Sequence, residues 1–178
     1  MGFGGIGKAV ARLLRCFDVK ILALNTTGRT DDPVDFIGTL RDLEHILRLS
    51  DIVILTLPLT NSTRKLIGKE QLDWMKDDAV LVNVARADII DEYALYRKLK
   101  ENPQFTAAID VWWIEPLHHE KFSTTYPFLE LPNVLGSPHN SGIVLSSFQK
   151  GIMHAAENVK RFLNHEPVLG VVNRSDYM

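Results

Sequence analysis

Apolar residues along the chain follow two patterns, short continuous runs and longer stretches in which they recur every three or four positions. Continuous runs rich in Val, Ile and Leu are typical of strands buried on both faces of a parallel sheet, and the longer spacing is typical of amphipathic helices. The predicted strands cover residues 19–24, 34–37, 52–57, 79–84, 105–110 and 133–136. The predicted helices cover residues 6–17, 40–49, 70–75 and 92–102, with a last, long helix that follows the loop 137–142 and ends near residue 165.

Strands and helices alternate along the chain, which predicts right-handed βαβ crossovers and an α/β fold with helices on both faces of a parallel sheet. Thr39 with Asp42, and Asp91, are the residues expected to cap the starts of two helices. Residues 111–132 form a long irregular segment. A connection of this length inside a compact domain usually has a functional role.

The first seven residues contain the pattern G-x-G-x-x-G, with glycines at positions 2, 4 and 7. In dinucleotide-binding folds these glycines form the turn between the first strand and its helix, where the pyrophosphate meets free N–H groups. The pattern alone is weak, but here it opens directly into a predicted helix. We therefore predict a Rossmann-type, doubly wound sheet in a dinucleotide-binding domain over residues 1–165, followed by a C-terminal tail over residues 166–178.

The strand that normally leads into this turn is expected to be missing, because only Met1 precedes Gly2. That strand lies in the centre of such a sheet, so both of its neighbours would lose a ladder of backbone hydrogen bonds. Each buried unpaired group costs about 1–3 kcal/mol, against a total stability of roughly 5–15 kcal/mol. We expect the chain on its own to be poorly stable, or to fill the gap through another chain or a rearranged N-terminus.

Composition narrows the class of protein. At 178 residues, the chain has room for one domain with a proper core and hardly for two. A hydrophobic content of 46%, a charged content of 24% and a net charge of −2 are ordinary for a globular protein and favour neither nucleic acid nor a membrane as partner. No apolar run is long enough to span a bilayer, and the N-terminus lacks the features of a signal peptide.

The only cysteine is Cys16, which excludes an internal disulfide and fits a reducing, cytoplasmic setting. Its apolar neighbours Leu13 and Phe17 predict a buried, unreactive thiol. The run His118-His119-Glu120 lacks a spaced partner group, so we expect no metal site.

Polar residues that can carry chemistry follow the ends of the predicted strands, where ligands of open α/β sheets bind. Arg86, Asp110 and His139 each come at or just after a strand end, and Glu115 lies five residues beyond Asp110. An arginine can clamp a carboxylate, and a histidine can exchange a proton with a carbonyl that receives hydride. A nearby carboxylate can orient that histidine. Each of these residues alone could have a purely structural role. Together, the arginine, the carboxylates and the histidine predict hydride transfer to a small oxo acid.

Several sequence blocks, in this order and spacing, resemble one family. They are Gly2–Gly7, Ser50–Val53 running to Leu57–Thr60, Asn83–Arg86 running to Asp91–Glu92, Ala108–Val111 running to Glu115–Pro116, and Ser137–His139. From Gly2 to about Asn173, the chain resembles the nucleotide-binding domain of the D-isomer-specific 2-hydroxyacid dehydrogenases. The resemblance implies an NAD(P)-dependent oxidoreductase that transfers hydride between a nicotinamide cofactor and a small 2-oxo or 2-hydroxy acid.

The resemblance also implies roles for individual residues. Arg86 would bind the substrate carboxylate and polarise the carbonyl, His139 would be the general acid/base, and Glu115 would support His139. The residues expected at the cofactor site are Gly2, Gly4, Gly5, Ile6, Gly7, Asn25, Thr26, Arg29, Leu57, Pro58, Thr63, Val84, Ala85, Arg86, Asp110, His139 and Gly142. We also expect a homodimer.

Two departures from the family pattern bear on function. NAD-using members usually have Asp at the end of the second strand, where this chain has Asn25, followed by Thr26 and Arg29. A neutral side chain does not repel a 2′-phosphate, and Arg29 can pair with one, so the sequence favours NADP(H) while leaving NAD(H) open. The family also has a substrate domain before the glycine motif, which we expect to be absent here together with the first strand.

Two other interpretations stay open at this point. A dinucleotide-responsive regulatory module of the corepressor type would have the same fold and keep the same residues. The chain could also be an inactive truncated fragment. The identity of the 2-hydroxy acid is not predictable, because most substrate contacts in the family come from the other domain.

Overall fold

The computed structural model describes residues 1–177, apart from the side chains of Leu117 and His118. Its strands are β1 (Leu22–Leu24), β2 (Phe36–Gly38), β3 (Ile52–Leu55), β4 (Val80–Asn83), β5 (Thr106–Ile109) and β6 (Val134–Gly136). Its α-helices are α1 (Gly5–Leu14), α2 (Leu43–Leu49), α3 (Lys69–Trp74), α4 (Glu92–Glu101), α5 (Pro116–His119) and α6 (Ser147–Leu163). Short 3-10 helices cover Arg15–Phe17, Leu40–Asp42, Ala87–Ile89, Phe128–Glu130 and Arg174–Asp176.

All strand pairs are parallel, which confirms the predicted α/β architecture. One sheet contains β1 and β2, and the other has the order β3-β4-β5-β6. The register places Asn83 beside Ile109, and Ile109 beside Gly136. Strands β4, β5 and β6 therefore end at the same edge, and the polar segments that follow them begin side by side.

The sheets are separated at the place where the first strand of the fold was expected to be missing. Within residues 1–177, no ladder joins β1 to β3. Met1 lies between them: its nitrogen donates to the carbonyl oxygen of Ile54 at 2.6 Å, and its carbonyl oxygen accepts from the N–H of Thr56 at 2.9 Å. On the other side, the N–H of Gly2 donates to the carbonyl oxygen of Leu24 at 3.1 Å. The start of the glycine turn thus connects the two sheets.

The hydrophobic core packs the larger sheet against α2, α3 and α4. Its fully buried side chains include Leu47, Leu55, Leu72, Leu81, Leu95, Leu99 and Phe105. Both predicted caps are present: Thr39 and Asp42 form a capping box, and Asp91 accepts from the N–H of Ala94 at 3.0 Å. These caps set where the helices start relative to the strands.

Helices α1 and α6 expose apolar faces. Leu13 and Phe17 are 73% and 69% exposed, and α6, which begins at Ser147 rather than directly after the loop 137–142, has no buried residue. The prediction of a buried Cys16 thiol is therefore wrong: Cys16 is exposed, and its Sγ donates to the carbonyl oxygen of Leu13 at 3.1 Å. The spacing identifies the apolar residues of α1, but only Ala11 among them is buried, against Phe3 and Ala23, and Leu13 stays exposed.

Candidate active site

The three glycines of the motif are needed for three different reasons. Gly2 has a φ of +86°, and a Cβ there would lie 2.5 Å from the nitrogen of Leu57. A Cβ on Gly7 would lie 2.5 Å from the carbonyl oxygen of Gly2. A Cβ on Gly4 would meet no heavy atom within 4 Å, so this position is open to a ligand. The turn therefore combines a tight bend, close helix packing and an accessible backbone, as a dinucleotide site requires.

Helix α1 starts immediately after this turn and presents its N-terminus to the same space. It begins at Gly5 with Gly4 as N-cap, no side chain caps it, and its first turn holds no acidic residue. Ile6, in that first turn, is 62% exposed. The first N–H groups of an uncapped helix lack partners within the helix and carry its positive dipole end. These residues fit the pyrophosphate of a dinucleotide.

The loop after β1 is organised by the side chain of Asn25. Its Oδ1 accepts from the N–H groups of Thr27 and Gly28 at 3.0 and 2.7 Å, and its Nδ2 donates to the carbonyl oxygen of Arg29 at 2.8 Å. The side chains of Thr26 and Arg29 are exposed. Asn25 thus shapes the loop, whereas Arg29 is the positively charged group that the loop presents to solvent.

The loop after β3 is held by Thr63, which is 8% exposed. Its hydroxyl donates to the carbonyl oxygen of Pro58 at 2.8 Å and accepts from the N–H of Thr60 at 2.8 Å. Leu57 is buried against Gly2, and Pro58 is exposed. The Thr63 hydroxyl is therefore used within the loop, where it fixes the position of Pro58.

The turn after β4 carries Arg86. Asn83, the last residue of the strand, is buried; its Oδ1 accepts from the N–H of Ala85 and its Nδ2 donates to the carbonyl oxygen of Arg86, both at 3.0 Å. Ala85 is buried and Val84 is half-buried. The Arg86 side chain is exposed, and its Nη1 donates to the carbonyl oxygen of Ala85 at 2.6 Å. The asparagine clamp thus positions the backbone from which Arg86 projects.

Asp110, which follows β5, anchors the loop that carries His139. Its Oδ1 accepts from the Ser137 hydroxyl at 2.5 Å and from the N–H of Asn140 at 3.1 Å, and its Oδ2 accepts from the N–H of Ser141 at 3.0 Å. Burial alone would raise the pKa of Asp110, but these hydrogen bonds outweigh it and hold the pKa below its usual value. Asp110 is therefore an ionised, buried anchor, and Ser137 and Asn140 flank the histidine.

His139 and Glu115 form a hydrogen-bonded pair. Nδ1 of His139 lies 2.7 Å from Oε2 of Glu115, and Oε1 of Glu115 accepts from the N–H of Trp112 at 2.6 Å. The Glu115 side chain is 13% exposed, whereas that of His139 is 43% exposed. His139 also has a φ of 51°, a left-handed conformation that is uncommon for residues other than glycine. The carboxylate is thus held inside the protein, whereas the imidazole is open to solvent.

The fold brings the predicted chemistry to one edge of the larger sheet. Arg86, Asp110 and His139 follow the adjacent strands β4, β5 and β6, and the exposed Gly142 ends the His139 loop. The glycine turn and the Asn25 loop lie beside β1, next to the point where Met1 reaches β3. Apart from the glycine turn, which follows no strand among the described residues, these segments follow the carboxyl ends of parallel strands, where the ligand of an open α/β sheet binds.

Two residues that build the site were missed as individual contributors, Asn83 and Ser137. Both lie within the sequence blocks that resemble the family, but neither was predicted to have a role of its own. A usable signal is present for Asn83, since a polar residue ends an otherwise apolar strand. The bond between Ser137 and Asp110 joins two distant segments and has no local signal.

The prediction about His118-His119-Glu120 is only partly testable, because the side chain of His118 lies outside the described residues. Among the side chains that are described, no group of three His, Cys, Asp or Glu residues could hold a metal ion.

The fold and the site define an α/β dinucleotide-binding domain with an arginine and a histidine–carboxylate pair at its ligand edge. Residues 1–141 match the family described as "D-isomer specific 2-hydroxyacid dehydrogenase, NAD binding domain". The chain belongs to this family.

Named relatives agree with this assignment. The chain is 35% identical over 174 residues to glyoxylate reductase from Thermococcus kodakarensis, covering 98% of this chain and 50% of that protein. It is 38% identical over 140 residues to hydroxypyruvate reductase from Thermotoga maritima, covering 78% of this chain and 44% of that protein. The chain therefore spans about half the length of the curated relatives it matches.

A solved structure of the same family matches the fold. It is a D-isomer specific 2-hydroxyacid dehydrogenase from Xanthobacter autotrophicus Py2 in complex with NADPH and MES, with 31% identity and a TM-score of 0.83. The match covers 97% of this chain and 53% of that chain. That structure contains a nicotinamide dinucleotide, and the family to which this chain belongs is described as an NAD binding domain.

Proposed function

We propose that this domain is the cofactor-binding and proton-transferring half of an NAD(P)-dependent oxidoreductase that acts on small 2-oxo or 2-hydroxy acids. The pair formed by His139 and Glu115, 2.7 Å apart, is the observation that carries the proposal. Because Nδ1 of His139 is bonded to Glu115, Nε2 is the ring nitrogen that can meet a substrate oxygen. The similar glyoxylate and hydroxypyruvate reductases are named for two acids of this class.

Each polar residue has a distinct task in the proposed reduction. A bound nicotinamide cofactor would supply the hydride to the carbonyl carbon of the substrate. Arg86 turns from the Ala85 carbonyl to clamp the substrate carboxylate. Protonated His139 delivers a proton from Nε2 to the oxygen that becomes the hydroxyl, and takes it back in the oxidation. Glu115 stabilises the imidazolium and keeps its orientation.

The cofactor is proposed to lie along the strand ends. The turn Gly2–Gly7 would hold the pyrophosphate, and Val84 and Ala85 would line the nicotinamide side. The loop with Asn25 and Arg29 would face the adenosine ribose. We propose a preference for NADP(H) over NAD(H), since Asn25 is neutral and Arg29 is an exposed cation next to it.

We further propose that the protein forms a homodimer and acts in the cytoplasm, with no nucleic-acid or membrane partner. Leu13 on α1 and Phe17 on the 3-10 helix that follows it are exposed and support an interface, because large apolar patches on a surface mark interaction sites. No helix within residues 1–177 is both long and apolar enough to cross a membrane. Light scattering of Leu13→Glu, compared with Lys20→Glu, tests the dimer, and unchanged mass would argue against this interface.

Turnover tests the proposed reaction. A chimera in which this chain replaces the matching residues of the Thermococcus kodakarensis glyoxylate reductase supplies the remainder of the protein. In it, His139→Ala should reduce turnover by about 10²–10⁴-fold and leave cofactor binding largely intact, because it removes the proton-transferring group and only one of many side chains at the cofactor site. The matched control is His154→Ala, which removes an exposed histidine on α6.

Unchanged turnover in His139→Ala would contradict the assignment of His139. Cofactor binding without turnover on any of a panel of 2-oxo acids would instead favour a regulatory module.

A further inference from the structure

Trp112 makes two hydrogen bonds that reach the supports of both members of the His139–Glu115 pair. Its backbone N–H donates at 2.6 Å to Oε1 of Glu115, the carboxylate oxygen that does not meet His139. Its indole Nε1 donates at 2.8 Å to the carbonyl oxygen of Ser137, in the loop that carries His139. One residue therefore connects the segment that holds the carboxylate to the segment that holds the imidazole.

The indole ring of Trp112 is fixed by its surroundings. Trp112 is 6% exposed, and its ring lies edge-to-face against Phe122 and Phe128, with centroid distances of 5.5 and 6.4 Å. At the end of β6, a Cβ on Gly136 would lie 2.9 Å from Cζ2 of Trp112, so a glycine is needed there to leave room for the ring. A buried indole N–H needs an acceptor, and the rigid ring sets where that acceptor lies.

The loop that carries His139 depends on such support. His139 has a left-handed backbone with a φ of 51°, a conformation that persists only where surrounding contacts hold it. Asp110 binds the hydroxyl of Ser137 and two N–H groups that follow the histidine. The carbonyl oxygen of Ser137 cannot bond to a carboxylate, and it accepts from the indole of Trp112 instead. The indole thus fixes the main chain two residues before His139.

We propose that Trp112 is a positioning residue that sets the geometry of the His139–Glu115 pair, on which proton transfer depends. Its main chain holds the carboxylate and its indole holds the histidine loop, so one buried residue fixes the spacing between the two. The inference rests on the proposed function, in which Nδ1 of His139 stays on Glu115 while Nε2 exchanges the proton. Without the indole bond, the loop relaxes and the contact between His139 and Glu115 weakens.

Nuclear magnetic resonance of the His139 ring tests the proposal directly. Trp112→Phe removes the indole donor and keeps an aromatic ring. Trp113→Phe is the matched control, because the indole of Trp113 donates to the carbonyl oxygen of Ile90 at 3.3 Å and not to Ser137. In the full chain with isotope-labelled histidine, the nitrogen chemical shifts of the neutral ring report whether its proton is on Nδ1 or Nε2, and His139→Ala identifies the signals.

The bond to Glu115 favours the proton on Nδ1 of His139. We expect the ratio of the Nδ1–H form to the Nε2–H form to fall about three- to tenfold in Trp112→Phe, the effect of losing one hydrogen bond. The ratio should stay unchanged in Trp113→Phe. If Trp112→Phe does not fold, Gly136→Ala displaces the indole and should lower the same ratio, with Gly151→Ala, whose Cβ meets no atom within 4 Å, as its control.

Kinetics in the glyoxylate reductase chimera provide the second measurement. Trp112→Phe should lower kcat about 10–100-fold with little change in the KM for the cofactor, because a misplaced imidazole impairs proton transfer and not cofactor binding. Trp113→Phe should change neither constant. Unchanged kcat in Trp112→Phe, in a chimera that His139→Ala inactivates, would overturn the proposal.

An unchanged ratio of the two ring forms in the folded variant, or an equal change in Trp113→Phe, would overturn the proposal as well. The ratio is measured without cofactor or substrate. A chain that shows the expected shift but reduces no 2-oxo acid would therefore contradict the proposed function and leave the positioning of His139 by Trp112 standing.

Discussion

Nδ1 of His139 lies 2.7 Å from Oε2 of Glu115, and the other carboxylate oxygen of Glu115 is held by the N–H of Trp112 at 2.6 Å. The two residues are far apart in the chain, in the irregular segment after β5 and in the loop after β6. Their contact depends on the pairing of these strands. The carboxylate is nearly buried and the imidazole is not, so His139 is the solvent-accessible member of the pair.

The first prediction concerns the charge of Glu115. In the chimera, Glu115→Gln keeps the size of the side chain but removes the charge that stabilises the imidazolium. We expect turnover at neutral pH to fall about 10–100-fold and the pH profile of the rate to change, because the charge that stabilises the imidazolium in the reaction is removed. The pH dependence of kcat/KM gives this readout. Glu120→Gln, at an exposed position, is the control, and an unchanged profile in Glu115→Gln would show that Glu115 has no part in proton transfer.

The second prediction concerns Asp110 as the anchor of the His139 loop. Asp110→Asn keeps the shape but replaces one acceptor oxygen by an NH₂ group that meets donors. The free energy of unfolding at neutral pH should fall by about 1–3 kcal/mol. Urea unfolding of the two chains at pH 7 measures this difference.

The pKa of Asp110 is lower in the folded chain than in the unfolded chain, so the unfolded chain takes up the proton first as the pH falls. Its stabilising contribution is present above the unfolded pKa of about 3.9 and is lost as the pH falls through the lower, folded pKa. The wild-type chain should therefore lose more stability than Asp110→Asn between about pH 5 and pH 3. Parallel pH curves for both chains would show that this carboxylate is not the ionised anchor.

The third prediction separates the structural glycine from the ligand-facing one. Gly7→Ala places a Cβ 2.5 Å from the carbonyl oxygen of Gly2, so its melting temperature should fall by several degrees although alanine is the better helix former. Gly4→Ala meets no protein atom within 4 Å and should melt near the wild-type temperature. Calorimetry measures both.

The same two variants should differ in cofactor affinity. Because Gly4 faces the proposed pyrophosphate position, Gly4→Ala should weaken dinucleotide binding about tenfold or more while the fold is intact. Tight binding by Gly4→Ala would place the pyrophosphate elsewhere.

The fourth prediction concerns cofactor preference. Arg29→Ala removes the exposed guanidinium of the Asn25 loop, and a charge-assisted bond to a 2′-phosphate is worth about 1.5–3 kcal/mol. The Kd for NADP⁺ should rise about 10–100-fold, and the Kd for NAD⁺ should change little. Titration calorimetry with both dinucleotides measures the ratio. Arg48→Ala, which removes an exposed arginine on α2, is the control, and equal losses for both dinucleotides would assign Arg29 a general role.

Local signals predicted the elements well, because their causes are local. Apolar runs mark β3, β4 and β5, and the caps at Thr39 and Asp91 mark helix starts. The burial of Cys16 was misjudged for a physical reason: helical spacing shows which face of α1 is apolar, but burial depends on what packs against that face. The start of α6 was likewise placed too early. The apolar residues 143–145 look like the beginning of a helix that packs on the core, but they are exposed and the helix begins only at Ser147.

The sequence by itself determined the parallel α/β class and the glycine turn, and it predicted Arg86, Glu115 and His139 as site residues, because spacing and residue type carry this information. Only the tertiary structure decided which contacts position these residues. Asn83 clamps the Arg86 turn, and Asp110 anchors the loop of His139. Such bonds join segments that are brought together by the register of neighbouring strands, and no pattern along the chain encodes a distance between them. The same holds for Met1, whose two bonds to β3 are visible only once both sheets are in place.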